Sequence, residues 1–163
     1  MGQQQLFLIV SGIIVTLIGL ASGTYIFSDR SEQATYDALS QEAFRVAPRM
    51  MSWKLTPTTF GGGASTTYAE GLTFGGLGYP ESNGAGTKSN DSEFKRTISG
   101  LNSKRPRIRI QHARDKHLRV DLFIYGVASN CYKLRRARKV DGTWLNSSLP
   151  VGKNNPPEGC SVW

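Results

Sequence analysis

The chain has 163 residues, of which 39% are apolar, and a net charge of +8 from 20 lysines and arginines against 12 acids. That length supports one modest core and excludes a large multidomain enzyme. The charge is uneven: Lys95 to Lys139 holds fourteen basic residues against Asp115 and Asp121, while the rest of the chain is net acidic. Such a stretch attracts nucleic acid, anionic lipid or acidic glycans, and its plainer reading is a solvated face that keeps the protein soluble.

In chain order, the first segment is Leu6 to Phe27, 22 residues without a charge; the first charge is Asp29. As a helix it would span about 33 Å, enough to cross a bilayer core. Three readings are open. A cleaved signal peptide would use Ala21, Ser22 and Gly23, but Met1–Gln5 lacks the basic residues such a segment carries. A plain membrane anchor is the second. The third is a helix that starts in the membrane and ends among identical helices, because neighbouring copies supply an apolar surround as well as lipid does. We expect the third, with Leu6, Phe7, Ile9, Ile13, Ile14 and Leu17 as contact residues and the Gly19/Gly23 pair allowing close approach. The same glycines weaken the helix by about 1 kcal/mol each, which makes Gly19–Thr24 the place where stretching or local melting would fall. Basic residues do not set the topology, since Arg30 sits between Asp29 and Glu32.

From Ser31 to Met51 the pattern becomes amphipathic, with Tyr36, Leu39, Ala43, Val46 and Met50 three or four apart. The simplest account is one helix of about 45 residues, apolar all round at first and then with one buried stripe. Two helices hinged at Gly23 or Asp29 are the alternative. Pro48 removes a backbone donor and is expected to kink or end the helix.

Residues 54–92 read as a glycine-, serine- and threonine-rich loop. Its scattered Phe60, Tyr68, Leu72, Phe74, Leu77 and Tyr79 predict that it packs on the head or on a neighbour. Gly84–Ser89 lacks the spacing of a phosphate loop.

Residues 93–163 read as an antiparallel β head of about four strands, packed on the amphipathic half of the helix. Arg107–Gln111 and Leu118–Tyr125 alternate, with Leu118, Val120, Leu122 and Ile124 inward and Arg119, Asp121, Phe123 and Tyr125 outward. Ala113–His117 joins them. Tyr132–Val140 is a third strand, Asp141-Gly142 a two-residue hairpin turn, and Thr143–Leu145 a fourth strand. Glu93–Ile98 would add an edge strand. The tail from Leu149 to Trp163 is rich in Pro, Asn and Gly. Cys131 and Cys160, with 28 residues between them, are expected to form a disulfide in an exported head. On this argument the head lies outside the cell. The domains are thus 1–28, 29–53, 54–92 and 93–163.

This layout resembles the type IV pilins and related filament subunits: a charge-free apolar N-terminus, a long helix that leaves the membrane to pack on a sheet, an intervening loop, and a C-terminal cysteine pair. The resemblance implies an α+β, pilin-like fold. It also implies identical subunits as partners in a helical filament and a pilus assembly machinery in the inner membrane. The chain departs from the family in two places. Only Met1-Gly2 precedes Gln3 where a basic leader is usual, and neutral Gln5 stands where a mature pilin carries a glutamate.

No catalytic constellation or dinucleotide fingerprint is present, and neither enzymatic activity, a cofactor nor a small-molecule substrate is expected. His112 and His117 fall near a turn and lack a third ligand. Asn90-Asp91-Ser92 and Asn146-Ser147-Ser148 are glycosylation triplets. The alternative function is a membrane-anchored module whose basic head binds a polyanion such as DNA, through Arg107, Arg109, Arg119, Lys133, Arg135, Arg136 and Arg138 with Phe123, Tyr125 and Tyr132 among them.

Overall fold

The computed structural model describes residues 2–147 apart from 65, 67, 68, 83, 104, 129 and 130, together with 159 and 160; of 146 and 147 it describes the backbone. Tyr68, Ser148 of the second triplet and most of the tail lie outside the described residues. The architecture is α+β: helix α1 (Gly2–Leu55) is followed by a six-stranded antiparallel sheet. The chain divides into two compact units, one ending at Thr35 and one beginning at Tyr36.

In the first unit, Gly19–Thr24 is helical, without local melting. In the second, Pro48 lies inside α1 and the helix continues to Leu55, so of the two expected outcomes, a kink or an end, the end does not occur. Pro48 and Phe44 are both exposed, so the missing bond falls on the side of the helix away from the core. Beyond the proline, Met50, Met51 and Trp53 are buried, and that burial holds the last turns in place.

The strands are β1 (Lys88–Asn90), β2 (Phe94–Ser99), β3 (Arg107–His112), β4 (Leu118–Ile124), β5 (Tyr132–Val140) and β6 (Thr143–Ser147), paired in chain order as a meander. Six strands replace the expected four. β2 is not an edge, because β1, drawn from the glycine-rich stretch, pairs outside it with Ser89 opposite Arg96. Asp141 and Gly142 both have positive φ, 47° and 80°, as a type I′ turn requires. At the β3–β4 turn, His112 Nδ1 accepts the Arg114 and Asp115 N–H groups, and Asp115 Oδ1 accepts the N–H of His117 at 2.8 Å. His112 is thus a turn-forming residue.

The core of the second unit joins Leu39, Ala43, Val46 and Met50 of α1 to Ile108 and Ile110 of β3 and Val120, Leu122 and Ile124 of β4. The loop contributes Leu72, Phe74 and Leu77. Gly63 lies so close to Trp53 that a Cβ there would sit 2.2 Å from the indole ring, and the Trp53 Nε1–H donates to Gly61 O at 3.0 Å. Arg49 donates to Leu77 O at 2.9 Å. These contacts fasten the loop to the helix, together with a 3-10 turn at Thr58–Phe60.

An ion pair crosses the helix–sheet interface. Glu42 of α1 accepts from Arg96 Nε of β2 at 2.7 Å, and the other arm of Arg96 reaches Asp91 at 2.7 Å. Both Glu42 and Arg96 are buried, so each depends on the other to offset its desolvation. Burial acts to lower the Arg96 pKa, but its bonds to Asp91 and Glu42 win and raise it.

Candidate assembly helix and basic sheet face

Two surfaces stand out. The first is the apolar segment of α1. Fourteen large apolar side chains between Leu6 and Phe27 are exposed, among them Leu6, Phe7, Ile9, Ile13, Ile14 and Leu17. The segment is long and apolar enough, by length and composition, to cross a membrane. Its polar side chains are answered locally. Ser11 Oγ donates to Phe7 O at 2.9 Å, Thr16 Oγ1 to Ile13 O at 2.8 Å and Thr24 Oγ1 to Ala21 O at 3.0 Å. Hydroxyls bonded to their own helix can enter an apolar surround without stranding a donor. Gly12, Thr16, Gly19 and Gly23 recur at spacings of four, three and four, which puts them on one helix face. A Cβ at any of these three glycines would meet nothing within 4 Å.

The second surface is the sheet face opposite the core. In an antiparallel sheet, residues directly opposite one another share a face. One row runs Lys88–Thr97–Arg109–Asp121–Arg135 across five strands. A second runs Ser99–Arg107–Phe123–Lys133, and a third Asn90–Lys95–Gln111–Arg119–Ala137. Lys139 and Trp144 sit opposite each other further along. Among the described strands this face therefore carries eight cations and one carboxylate.

That carboxylate is the centre of the patch. Asp121 is fully buried, which corrects the expectation that the outward positions of β4 face solvent; Arg119 and Tyr125 are buried as well. Arg109 Nε donates to Asp121 Oδ1 at 3.0 Å and an Arg135 terminal nitrogen to Oδ2 at 3.0 Å. Arg119 Nε lies 3.3 Å from Oδ2, out of line for a hydrogen bond. Arg107 is held by Ser99 Oγ at 3.1 Å instead of by an acid. Burial, and then the neighbouring guanidinium of Arg109, pulls the Arg107 pKa below its ordinary value. For Arg119, burial and the charges of Arg109, Arg135 and Arg107 outweigh the help of Asp121 and have the same effect. Aromatic rings lie between the charges: Arg107 and Arg135 stand 5.9 and 5.3 Å from the Phe123 centroid, and Arg119 4.0 Å from that of Trp144.

The seven basic residues singled out in the sequence are split by the sheet. Arg107, Arg109, Arg119, Lys133 and Arg135 share the outer face. Arg136 and Arg138 stand opposite Val120 and Leu118 and so belong to the core-side face, where Arg136 pairs with Asp37 of α1 at 3.1 Å. Sequence reasoning missed the role of Asp121. The available signal was an acid isolated in a basic stretch, but its partners follow only from strand register.

Cys131 and Cys160 are joined by a disulfide, with Cα atoms 5.5 Å apart. Among the described residues no group of three or more His, Cys, Asp or Glu could hold a metal ion. No protein-family model, no curated protein and no solved structure matches this chain.

Proposed function

We propose that this protein is the structural subunit of an extracellular, type IV pilus-like filament. It resides in the inner membrane before assembly and polymerises through its N-terminal helix. The observation that carries the reading is the contrast between a head that closes its own core and a helix segment with fourteen exposed large apolar side chains. At about 1.5–3 kcal/mol per side chain, burying them would release on the order of 20–40 kcal/mol, an upper bound. Lipid collects that energy before assembly, and sister helices collect it afterwards. The face of Gly12, Thr16, Gly19 and Gly23 supports close helix approach in either surround. The N-terminal helix followed by an antiparallel sheet also fits the pilin architecture.

The test is electron microscopy of sheared cell-surface material with this chain identified in it. Fibres containing the chain are expected, and Gly19→Leu should abolish them while the protein stays in the membrane fraction. A parent chain found wholly in membranes, with no fibres, overturns the reading.

A further inference from the structure

We propose that the outer face of the sheet, around Arg107, Arg109, Arg119 and Arg135, is a binding surface for the phosphates of single-stranded nucleic acid. The proposal goes beyond filament assembly and does not depend on it.

The physical argument starts from an imbalance. Three guanidinium groups, those of Arg109, Arg119 and Arg135, reach one buried carboxylate, and Arg107 stands beside them on Ser99, leaving a local excess of three positive charges. A structural ion-pair network would be expected to balance its charges, because an uncompensated buried cation is costly. Here Asp121 takes one nitrogen each from Arg109 and Arg135, whose side chains remain 33% and 30% exposed. Asp121 therefore acts as a fixed post that aims these two guanidiniums, and their exposed terminal N–H groups are the donors offered to a phosphate. Burial first, and mutual repulsion after it, lowers the Arg107 and Arg119 pKa values, and the repulsive part is relieved when an anion binds.

One further observation narrows the ligand class. The rings of Phe123 and Trp144 are half-buried beside the cations. Alternating rings and cations on a sheet suit unpaired bases joined by phosphates better than they suit a lipid headgroup layer.

Arg107 gives a diagnostic variant, because it repels its neighbours and does not touch Asp121. Arg107→Gln should leave the melting temperature unchanged or higher while weakening binding at least fivefold. A purely structural arginine would show loss of stability instead.

The experiment uses the full chain in zwitterionic detergent micelles and the fluorescence anisotropy of a labelled thymidine oligonucleotide. With about five phosphates neutralised, affinity should fall about a hundredfold between about 50 and about 200 mM salt. Arg107→Gln and Arg135→Gln should each weaken binding and flatten the salt slope by about 0.7. Arg138→Gln, on the opposite face, should change neither. The proposal is overturned by no binding at low salt, by binding indifferent to salt, or by equal losses at Arg138 and Arg107. It is also overturned if vesicles containing phosphatidylglycerol capture the protein through Arg107 while the oligonucleotide does not bind.

Discussion

The two compact units of this protein solve opposite problems. In the unit ending at Thr35, large apolar side chains point outward and the polar groups of Ser11, Thr16 and Thr24 turn back onto their own helix. In the unit starting at Tyr36, apolar side chains meet one another and charged groups such as Glu42, Arg96 and Asp121 are enclosed with partners. The first presents apolar side chains that its own unit does not cover, and the second covers its own. A substitution should therefore affect folding in one unit and association in the other. Trp53, Trp144 and Trp163 all follow Tyr36, so tryptophan fluorescence during denaturation reports on the head alone.

The largest expected effect is at Asp121. Asp121→Ala leaves Arg109, Arg119 and Arg135 without their carboxylate and should destabilise the head by about 3–5 kcal/mol. Loss of less than about 1 kcal/mol in urea denaturation would mean that the arginines are solvated and the network is not structural. Next is the Cys131–Cys160 bond. Its reduction should cost about 3–4 kcal/mol through the freed loop, read as a lower denaturation midpoint with reductant present. An unmoved midpoint would place the loop outside the cooperative unit.

A smaller effect attaches to Asp91. Burial opposes ionisation there, yet the N–H groups of Phe94 and Glu93, together with Arg96, hold its carboxyl below the ordinary range. A depressed carboxyl contributes stability that is present above its unfolded pKa, near 4, and is lost as pH falls through the folded value. Stability should thus decline on acidification below about pH 4, and Asp91→Asn should flatten the decline. An identical acid limb in the variant refutes this assignment. The smallest effect is expected at Ile13. Ile13→Ala should leave head denaturation unmoved while reducing recovery of sheared fibres. A shift in the tryptophan transition would erase the division between the units.

Some of this architecture was legible in the sequence because its causes are local. The charge-free run from Leu6 to Phe27, the alternation in β4 and the Asp141-Gly142 turn each write their physics into a few adjacent residues. Other features depend on partners distant in the chain. Lys88–Asn90 has no strand pattern of its own and is extended because β2 offers it a ladder. Pro48 breaks a local rule whose cost is offset by the burial of Met50, Met51 and Trp53. The division of the basic residues between two faces needed the register of β3, β4 and β5. Arg135 and Arg136 are neighbours in sequence and stand on opposite sides of the sheet.

The locally satisfied hydroxyls of the N-terminal segment have an energetic consequence. A buried serine or threonine that relied on an outside acceptor would tether the segment to one surround, because departure would break that bond. Ser11, Thr16 and Thr24 carry their acceptors with them. For these three residues, exchange between hydrocarbon and packed protein is isoenthalpic in hydrogen bonding, so their preference between the two surrounds is left to shape and contact alone.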